Sequence, residues 1–201
     1  AKADNIFNNE NHPIFAEVTP HHLFLDEEMK DSDEEKKMLY RMKPELKTKS
    51  DREYLWQSIE NGTVDTIGTD HAPHLKSEKM EKITFGMPGV ETSLALMLTA
   101  YNREKISLVK IQELMCENPA RIFGIKNKGV LKEGYDADII AVDTEQEWLV
   151  KKEELLSKCG WSPYEGWKLK GKNILTIVNG NIVYKDGEIF ENKGKEVEID
   201  E

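Results

Sequence analysis

Two short apolar segments in the first half of the chain each stop at histidines. Residues 64–69 are rich in β-branched side chains, follow turn residues and lead into Pro73. This pattern is typical of a buried strand that runs into a loop. Residues 13–25 form a second apolar segment that contains the pair His21 and His22. We therefore predict two buried strands, each of which exits into histidine.

The segment 26–40, which follows His21 and His22, is highly charged. It is predicted to be a helix or a loop with a solvated face, because charged residues dominate it. Only Met38, Leu39 and Tyr40 at its end are expected to point inward.

Further helices are predicted from capping signals and spacing. Ser50 and Glu53 form a Ser-x-x-Glu capping box, which predicts the first turn of a helix. Residues 92–102 and 107–116 are predicted to form two more helices. Asn118 is expected to cap a short helix that has proline at its first position and ends at a glycine.

The last third of the chain has short apolar runs separated by glycine and aspartate, which predict strands. The Lys-Asp-Gly sequence at 185–187 is a hairpin signal. We predict two domains, 1–128 and 129–201, and a loop at 143–173 in the second. The predicted strands are 137–142, 174–178, 182–184 and 188–190.

Composition narrows the class of protein. The 201 residues are 38% hydrophobic and 33% charged, with a formal net charge of −10. No apolar run is long enough to span a bilayer, and the acidic balance argues against a nucleic-acid partner. The two cysteines lack zinc-ribbon spacing, so we expect a reducing, cytoplasmic location.

Asp70, His71 and His74 are crowded at the end of the predicted strand 64–69. At the carboxyl end of a barrel strand, a carboxylate can ligate a divalent metal or accept a proton. The two histidines are expected to point in different directions, one into the site and one into supporting contacts. In the alternative interpretation, Asp70 caps a turn and the histidines lie on a surface loop.

An ordered set of motifs resembles class I dihydroorotases, the cyclic amidohydrolases of pyrimidine synthesis. The motifs follow the family's order over almost the whole chain. They are EVTPHHL at 17–23, KPEL at 43–46, TDHAPH at 69–74, FGMPGVET at 85–92, NPARIFG at 118–124, GYDADII at 134–140 and VNGNIVYKDG at 178–187.

The resemblance implies an α/β fold. The chain would supply the C-terminal part of a (β/α)8 TIM-type barrel, about its last two strands and helices, and the C-terminal share of a small β-sandwich. The family's His-x-His pair, its bridging ligand and its later metal histidines cannot be placed here. We therefore expect the C-terminal half of a zinc enzyme, inactive alone, with the N-terminal half of the same enzyme as its partner. A complete barrel needs about 250 residues, which agrees with this expectation.

The resemblance also implies roles for individual residues. Asp70 would ligate one of one or two zinc ions and pass a proton from the attacking hydroxide to the departing amide nitrogen. His74 would contact the substrate carboxylate. The backbone at Phe85 and Gly86 would contact the substrate ring.

Lys43 stands where relatives carry Asn or Arg, and it would hold the small-molecule substrate. Arg41 is the alternative if the alignment slips by two residues.

Four residues are expected to support the site rather than react. They are Glu17, His21, His22 and His71. Glu17 is expected to hydrogen-bond one of the paired histidines or a neighbouring loop.

Two other functions remain open. An allantoinase or hydantoinase would share the barrel, although such relatives usually carry a single histidine after Cys-Pro where this chain has Thr19-Pro20-His21-His22. A non-catalytic dihydroorotase-like scaffold would only assemble with a transcarbamoylase. A homo-oligomer is also compatible with the sequence.

Overall fold

The computed structural model describes residues 14–200, so Pro13 and the rest of 1–13 lie outside the described residues, as does Glu201. The chain divides into two compact units on either side of the Gly89–Val90 bond. Each unit is described by itself. The predicted domains 1–128 and 129–201 stay predictions.

The first unit holds two short parallel strands and five helices among its described residues. β1 pairs with β2 in the register Glu17 to Thr66 and Val18 to Ile67. The elements are β1 (Glu17–Val18), α1 (Pro20–Phe24), α2 (Glu27–Lys30), α3 (Glu34–Leu39), α4 (Lys49–Glu60), β2 (Thr66–Ile67) and α5 (Lys76–Glu81).

The prediction of a strand over 13–25 is wrong for its second half, which is helical. Thr19 caps α1 by accepting a hydrogen bond from the backbone N–H of His22, and Pro20 occupies the first turn. His21 and His22 therefore lie on a short helix that starts where β1 ends.

The charged segment 26–40 folds as α2 and α3, capped by Asp26 and Asp33. Leu39 and Tyr40 are buried as predicted, whereas Met38 is only half-buried.

The capping box of α4 lies two residues earlier than predicted. Thr48 and Asp51 each accept a hydrogen bond from the other's backbone N–H, at 3.2 and 3.1 Å. Ser50 lies inside the first turn, where its hydroxyl contacts that of Thr48. Trp56 anchors the helix by donating from its indole nitrogen to the Leu23 carbonyl at 2.9 Å.

The second unit combines helices with a four-stranded antiparallel sheet of order β3-β4-β5-β6. Its regular elements are α6 (Ser93–Asn102), α7 (Leu108–Gln112), a π-helical turn (Glu113–Glu117), α8 (Asn118–Ile122), β3 (Ile139–Leu149), a 3-10 turn (Lys152–Glu154), β4 (Lys168–Val178), β5 (Asn181–Lys185) and β6 (Glu188–Ile189). α6 packs on β4 at Gly171, where an added Cβ would overlap the Leu98 side chain.

Three expectations for this unit can be compared with the structure. The hairpin at 185–187 is confirmed, since Asp186 and Gly187 both have positive φ angles, 48° and 97°. Asn118 is not a cap, because α7 continues through the π-helical turn into α8 and Asn118 is itself helical. β3 and β4 extend into the segment 143–173, so much of the predicted loop is strand.

No helix among residues 14–200 is both long enough and apolar enough to cross a membrane.

Candidate active site

A cleft of about 600 Å³ lies at the carboxyl ends of β1 and β2. Because these strands are parallel, the residues that follow them emerge on the same side. Thr19 and His22 come from the end of β1, and Asp70 comes from the end of β2. Glu17 and Lys43 also line the cleft.

Asp70 is exposed and has a φ angle of 44°. This left-handed conformation is uncommon for residues other than glycine, but aspartate tolerates it better than most. Its side chain makes no hydrogen bond or ion pair with other residues in the range 14–200. The carboxylate is therefore accessible to a ligand in the cleft.

His22 is held from both sides of its ring. Its Nε2 lies 3.0 Å from the Pro44 carbonyl, and its Nδ1 lies 2.7 Å from the Thr19 hydroxyl. A carbonyl only accepts, so Nε2 carries a proton. Burial lowers the pKa of His22 below its usual value, while the Pro44 hydrogen bond and the Asp70 charge oppose that change.

His21 is 2% exposed, and its Nε2 has no hydrogen-bond partner among the described residues. Burial, together with the neighbouring His22, lowers the pKa of His21 from 6.5 to about 3. The ring is therefore neutral near pH 7. It packs beside His22 with their ring centroids 4.6 Å apart.

Glu17 reaches across to the neighbouring strand. Its carboxylate accepts a hydrogen bond from the Thr66 hydroxyl at 3.2 Å, so this partner is neither a histidine nor a loop. The carboxylate also lies directly over Gly68, where an added Cβ would come within 2.5 Å of it. Gly68 thus leaves the space that the Glu17 side chain fills.

Lys43, His74 and Phe85 come together at one edge of the site. The Nζ of Lys43 lies 4.4 Å from the centre of the Phe85 ring, a cation–π contact. His74 donates from Nε2 to the Phe85 carbonyl at 3.1 Å. Phe85 is 38% exposed, so Lys43 lies against an accessible aromatic ring while His74 contacts the backbone of the same residue.

Gly86 has a φ of 115° and lies tightly against the 69–74 segment. An added Cβ would lie 2.7 Å from the Ala72 carbonyl oxygen. Its own N–H donates to the Arg41 carbonyl at 2.9 Å.

His71 ties two segments together. Its Nδ1 accepts the backbone N–H of Gly89 at 3.1 Å, and its backbone pairs with Met87.

Sequence reasoning missed Lys79, which lies on α5 and is fully buried. Its ammonium donates to the carbonyls of Arg41 and Gly86, each at 2.8 Å, and to that of Thr84 at 3.4 Å. Burial, and secondly the charge of Arg41, lower the pKa of Lys79 from 10.5 to about 8. Nothing in the local sequence marks Lys79 as buried, because α5 is rich in charged residues, as solvent-exposed helices usually are.

Within residues 14–200, no group of three or more histidine, cysteine, aspartate or glutamate side chains is arranged to hold a metal ion. Asp70 fits the role of a single ligand, since an exposed carboxylate offers the oxygen donor that zinc accepts. A complete metal centre at this cleft would need further ligands from outside the described residues.

Comparison with known proteins finds relatives over most of this chain. A dihydroorotase of Pyrococcus abyssi is 50% identical over 174 residues, which are 87% of this chain and 41% of that protein. The multifunctional protein pyr1-3 of Dictyostelium discoideum is 40% identical over 90% of this chain and 8% of its own length. Among solved structures, the L-hydantoinase (dihydropyrimidinase) from Arthrobacter aurescens superposes with a TM-score of 0.82 at 31% identity, covering 90% of this chain and 42% of that one.

The chain thus spans about 40% of the length of the dihydroorotases that it matches. Its likeness to the hydantoinase gives it an α/β fold of the TIM-barrel type. The family model described as the amidohydrolase family matches residues 12–183. The chain therefore belongs to the amidohydrolase family.

Proposed function

We propose that the protein containing this chain is a dihydroorotase, which reversibly cyclises N-carbamoyl-L-aspartate to (S)-dihydroorotate. One observation carries the proposal: two basic side chains, Lys43 and His74, converge on Phe85 at the edge of a cleft that also exposes Asp70. An anionic ring substrate needs this combination of cation, flat apolar surface and proton acceptor. The 50% identity to a dihydroorotase supports it.

The substrate carboxylate is assigned to Lys43 and His74. The Lys43 ammonium is exposed and can pair with it. His74 donates from Nε2 to the Phe85 carbonyl and is assigned to the same substrate carboxylate. Phe85 and Gly86 form the segment against which the substrate ring lies.

Asp70 is assigned the proton transfers. In the hydrolytic direction, its carboxylate accepts the proton of the attacking water and passes it to the departing amide nitrogen. Zinc, as one or two ions with Asp70 as one ligand, would polarise the amide carbonyl and acidify the water. Glu17, His21, His22 and His71 support these groups by the packing and hydrogen bonds described above.

The chain supplies the last two barrel strands and the C-terminal share of a β-sandwich in this proposal. The N-terminal half of the same enzyme supplies the remaining zinc ligands, in the cytoplasm. The match to a multifunctional protein favours association with a second enzyme, and a transcarbamoylase is our candidate. A homo-oligomer is the alternative assembly.

A hydantoinase is the second candidate, favoured by the TM-score of 0.82 to a solved hydantoinase. Dihydroorotate carries a carboxylate that hydantoin lacks, and the pair Lys43 and His74 favours the substrate that carries it. A non-catalytic scaffold is the third candidate.

The test compares hydrolysis of dihydroorotate, hydantoin and allantoin by the complete enzyme. We expect kcat/KM for dihydroorotate to exceed the other two by about 10–100-fold, because hydrogen bonds between charged groups contribute about 1.5–3 kcal/mol. In the Lys43→Met variant, KM for dihydroorotate rises and any hydantoin turnover is unchanged. A preference for hydantoin or allantoin would replace the proposal with a related cyclic amidohydrolase, and no turnover of any of them would favour the scaffold.

A further inference from the structure

Lys79 is a buried charged group that the proposed chemistry does not use. It is fully buried, and its hydrogen-bond partners in the described structure are three backbone carbonyls. Transferring an ammonium group from water to a protein interior is costly, and hydrogen bonds to neutral carbonyls offset that cost only in part. The lowered pKa, about 8, reflects that cost. A methionine or leucine would fill the same space without it.

The three carbonyls belong to two segments that meet at the proposed substrate site. Arg41 lies two residues before Lys43, while Thr84 and Gly86 lie on either side of Phe85. The Gly86 N–H also donates to the Arg41 carbonyl, so the two segments are joined directly as well. Lys79 therefore holds together the two backbone segments that carry Lys43 and Phe85.

We infer that Lys79 is a positioning residue that sets the distance between Lys43 and Phe85 for one bound substrate. This inference rests on the proposed function. A neutral side chain at this site leaves the carbonyls of Thr84 and Gly86 without the ammonium donor, so the two segments separate or rotate. The contacts to the substrate carboxylate and ring weaken, while Asp70 on the β2 exit keeps its place.

If Lys79 positions the substrate site, its substitution should change KM more than kcat. In the complete enzyme, Lys79→Met raises KM for dihydroorotate by at least about 10-fold, while kcat changes by less than about 3-fold and zinc content is unchanged. Lys79→Arg keeps a cation and several donors, so its KM lies between those of the wild type and Lys79→Met. The control Lys82→Met removes an exposed lysine just beyond α5 and leaves both constants unchanged.

A second measurement does not depend on activity. The Gly86 amide donates to the Arg41 carbonyl that Lys79 also holds, so its hydrogen exchange accelerates in Lys79→Met and stays at the wild-type rate in Lys82→Met.

The outcomes separate this inference from the proposed function. If the wild-type enzyme does not hydrolyse dihydroorotate, the proposed function fails, and the variants are compared on the cyclic amide that it does hydrolyse. If the enzyme is active but Lys79→Met changes neither KM nor the hydrogen exchange of the Gly86 amide, the inference is overturned. An equal loss of kcat, zinc and folded protein, or failure of both Lys79 variants to fold, would assign Lys79 to general stability and overturn it as well.

Discussion

Lys79 and His21 are two buried titratable side chains that differ in their hydrogen-bond partners. Lys79 has three carbonyl acceptors, whereas His21 has a buried Nε2 without a partner among residues 14–200. Burial lowers both pKa values, because a charged group loses hydration that a neutral group does not need. The lowered pKa values make the stability of the protein depend on pH.

His21 predicts a loss of stability in acid. Its pKa is about 3 in the folded protein and 6.5 as the reference value, so between these values the unfolded chain binds a proton that the folded chain does not. The free energy of unfolding therefore falls as pH drops from 6.5 towards 3. His21→Leu removes this contribution, and melting temperatures of the complete enzyme measured across that range should decline less steeply than in the wild type. Parallel curves for the two proteins would contradict the assignment.

Lys79 predicts a change in the alkaline range. Its pKa is about 8 when folded and 10.5 as the reference value, so the folded protein releases this proton first. The contribution of Lys79 to the free energy of unfolding therefore rises between pH 8 and 10.5. Urea midpoints of the wild type, compared with those of Lys79→Met over this range, should show a pH-dependent difference. A constant difference would mean that Lys79 titrates at the same pH in both states.

At the scale of elements, two glycines differ in what surrounds them. An added Cβ at Gly68 meets the far end of the flexible Glu17 side chain, at 2.5 Å. At Gly86 it meets Ala72, including its backbone oxygen, at a φ of 115° that other residues rarely adopt. The β1–β2 pair can therefore adjust to an extra methyl group, whereas the 69–74 and 84–87 segments cannot.

These two sites provide a matched pair of substitutions. Gly68→Ala displaces the Glu17 carboxylate from Thr66 and is expected to lower the free energy of unfolding by about 1 kcal/mol. Gly86→Ala adds backbone strain of about 1–3 kcal/mol to a steric overlap, so its loss should be clearly larger. Chemical denaturation of the complete enzyme carrying each variant measures the difference. Equal losses would show that the Gly86 backbone is not confined as described.

Local sequence patterns were ambiguous at the start of α4 and at the end of β1. Thr48 with Asp51 and Ser50 with Glu53 are overlapping capping boxes, and only the first forms. The sequence alone could not choose between them, since both satisfy the pattern Ser/Thr-x-x-Asp/Glu. The predicted first strand failed beyond β1 because Thr19 and Pro20, which end a strand, are also the signals that start a helix.

At the scale of the whole molecule, the order of the motifs predicted the family correctly, since seven motifs in sequence constrain the fold more than any one does. The sequence also predicted the two strands themselves, although the second half of the segment 13–25 is helical. Lys79 was not, because its carbonyl partners come from separate segments and leave no local pattern. The chain covers about 40% of the length of the dihydroorotases that it matches, so the proposed zinc site can be tested only in the complete protein.

Turnover of dihydroorotate by the complete enzyme and by its Asp70→Asn variant, with bound zinc determined in both, tests whether Asp70 carries the proton in a zinc dihydroorotase. We predict a zinc-containing, active wild type and a folded variant whose kcat falls by about 10²–10⁴-fold, because the amide cannot carry the proton. Glu60→Gln, an exposed acid at the end of α4, should keep wild-type activity. An Asp70→Asn enzyme with wild-type kcat, or a wild type with no dihydroorotate turnover, would contradict the account.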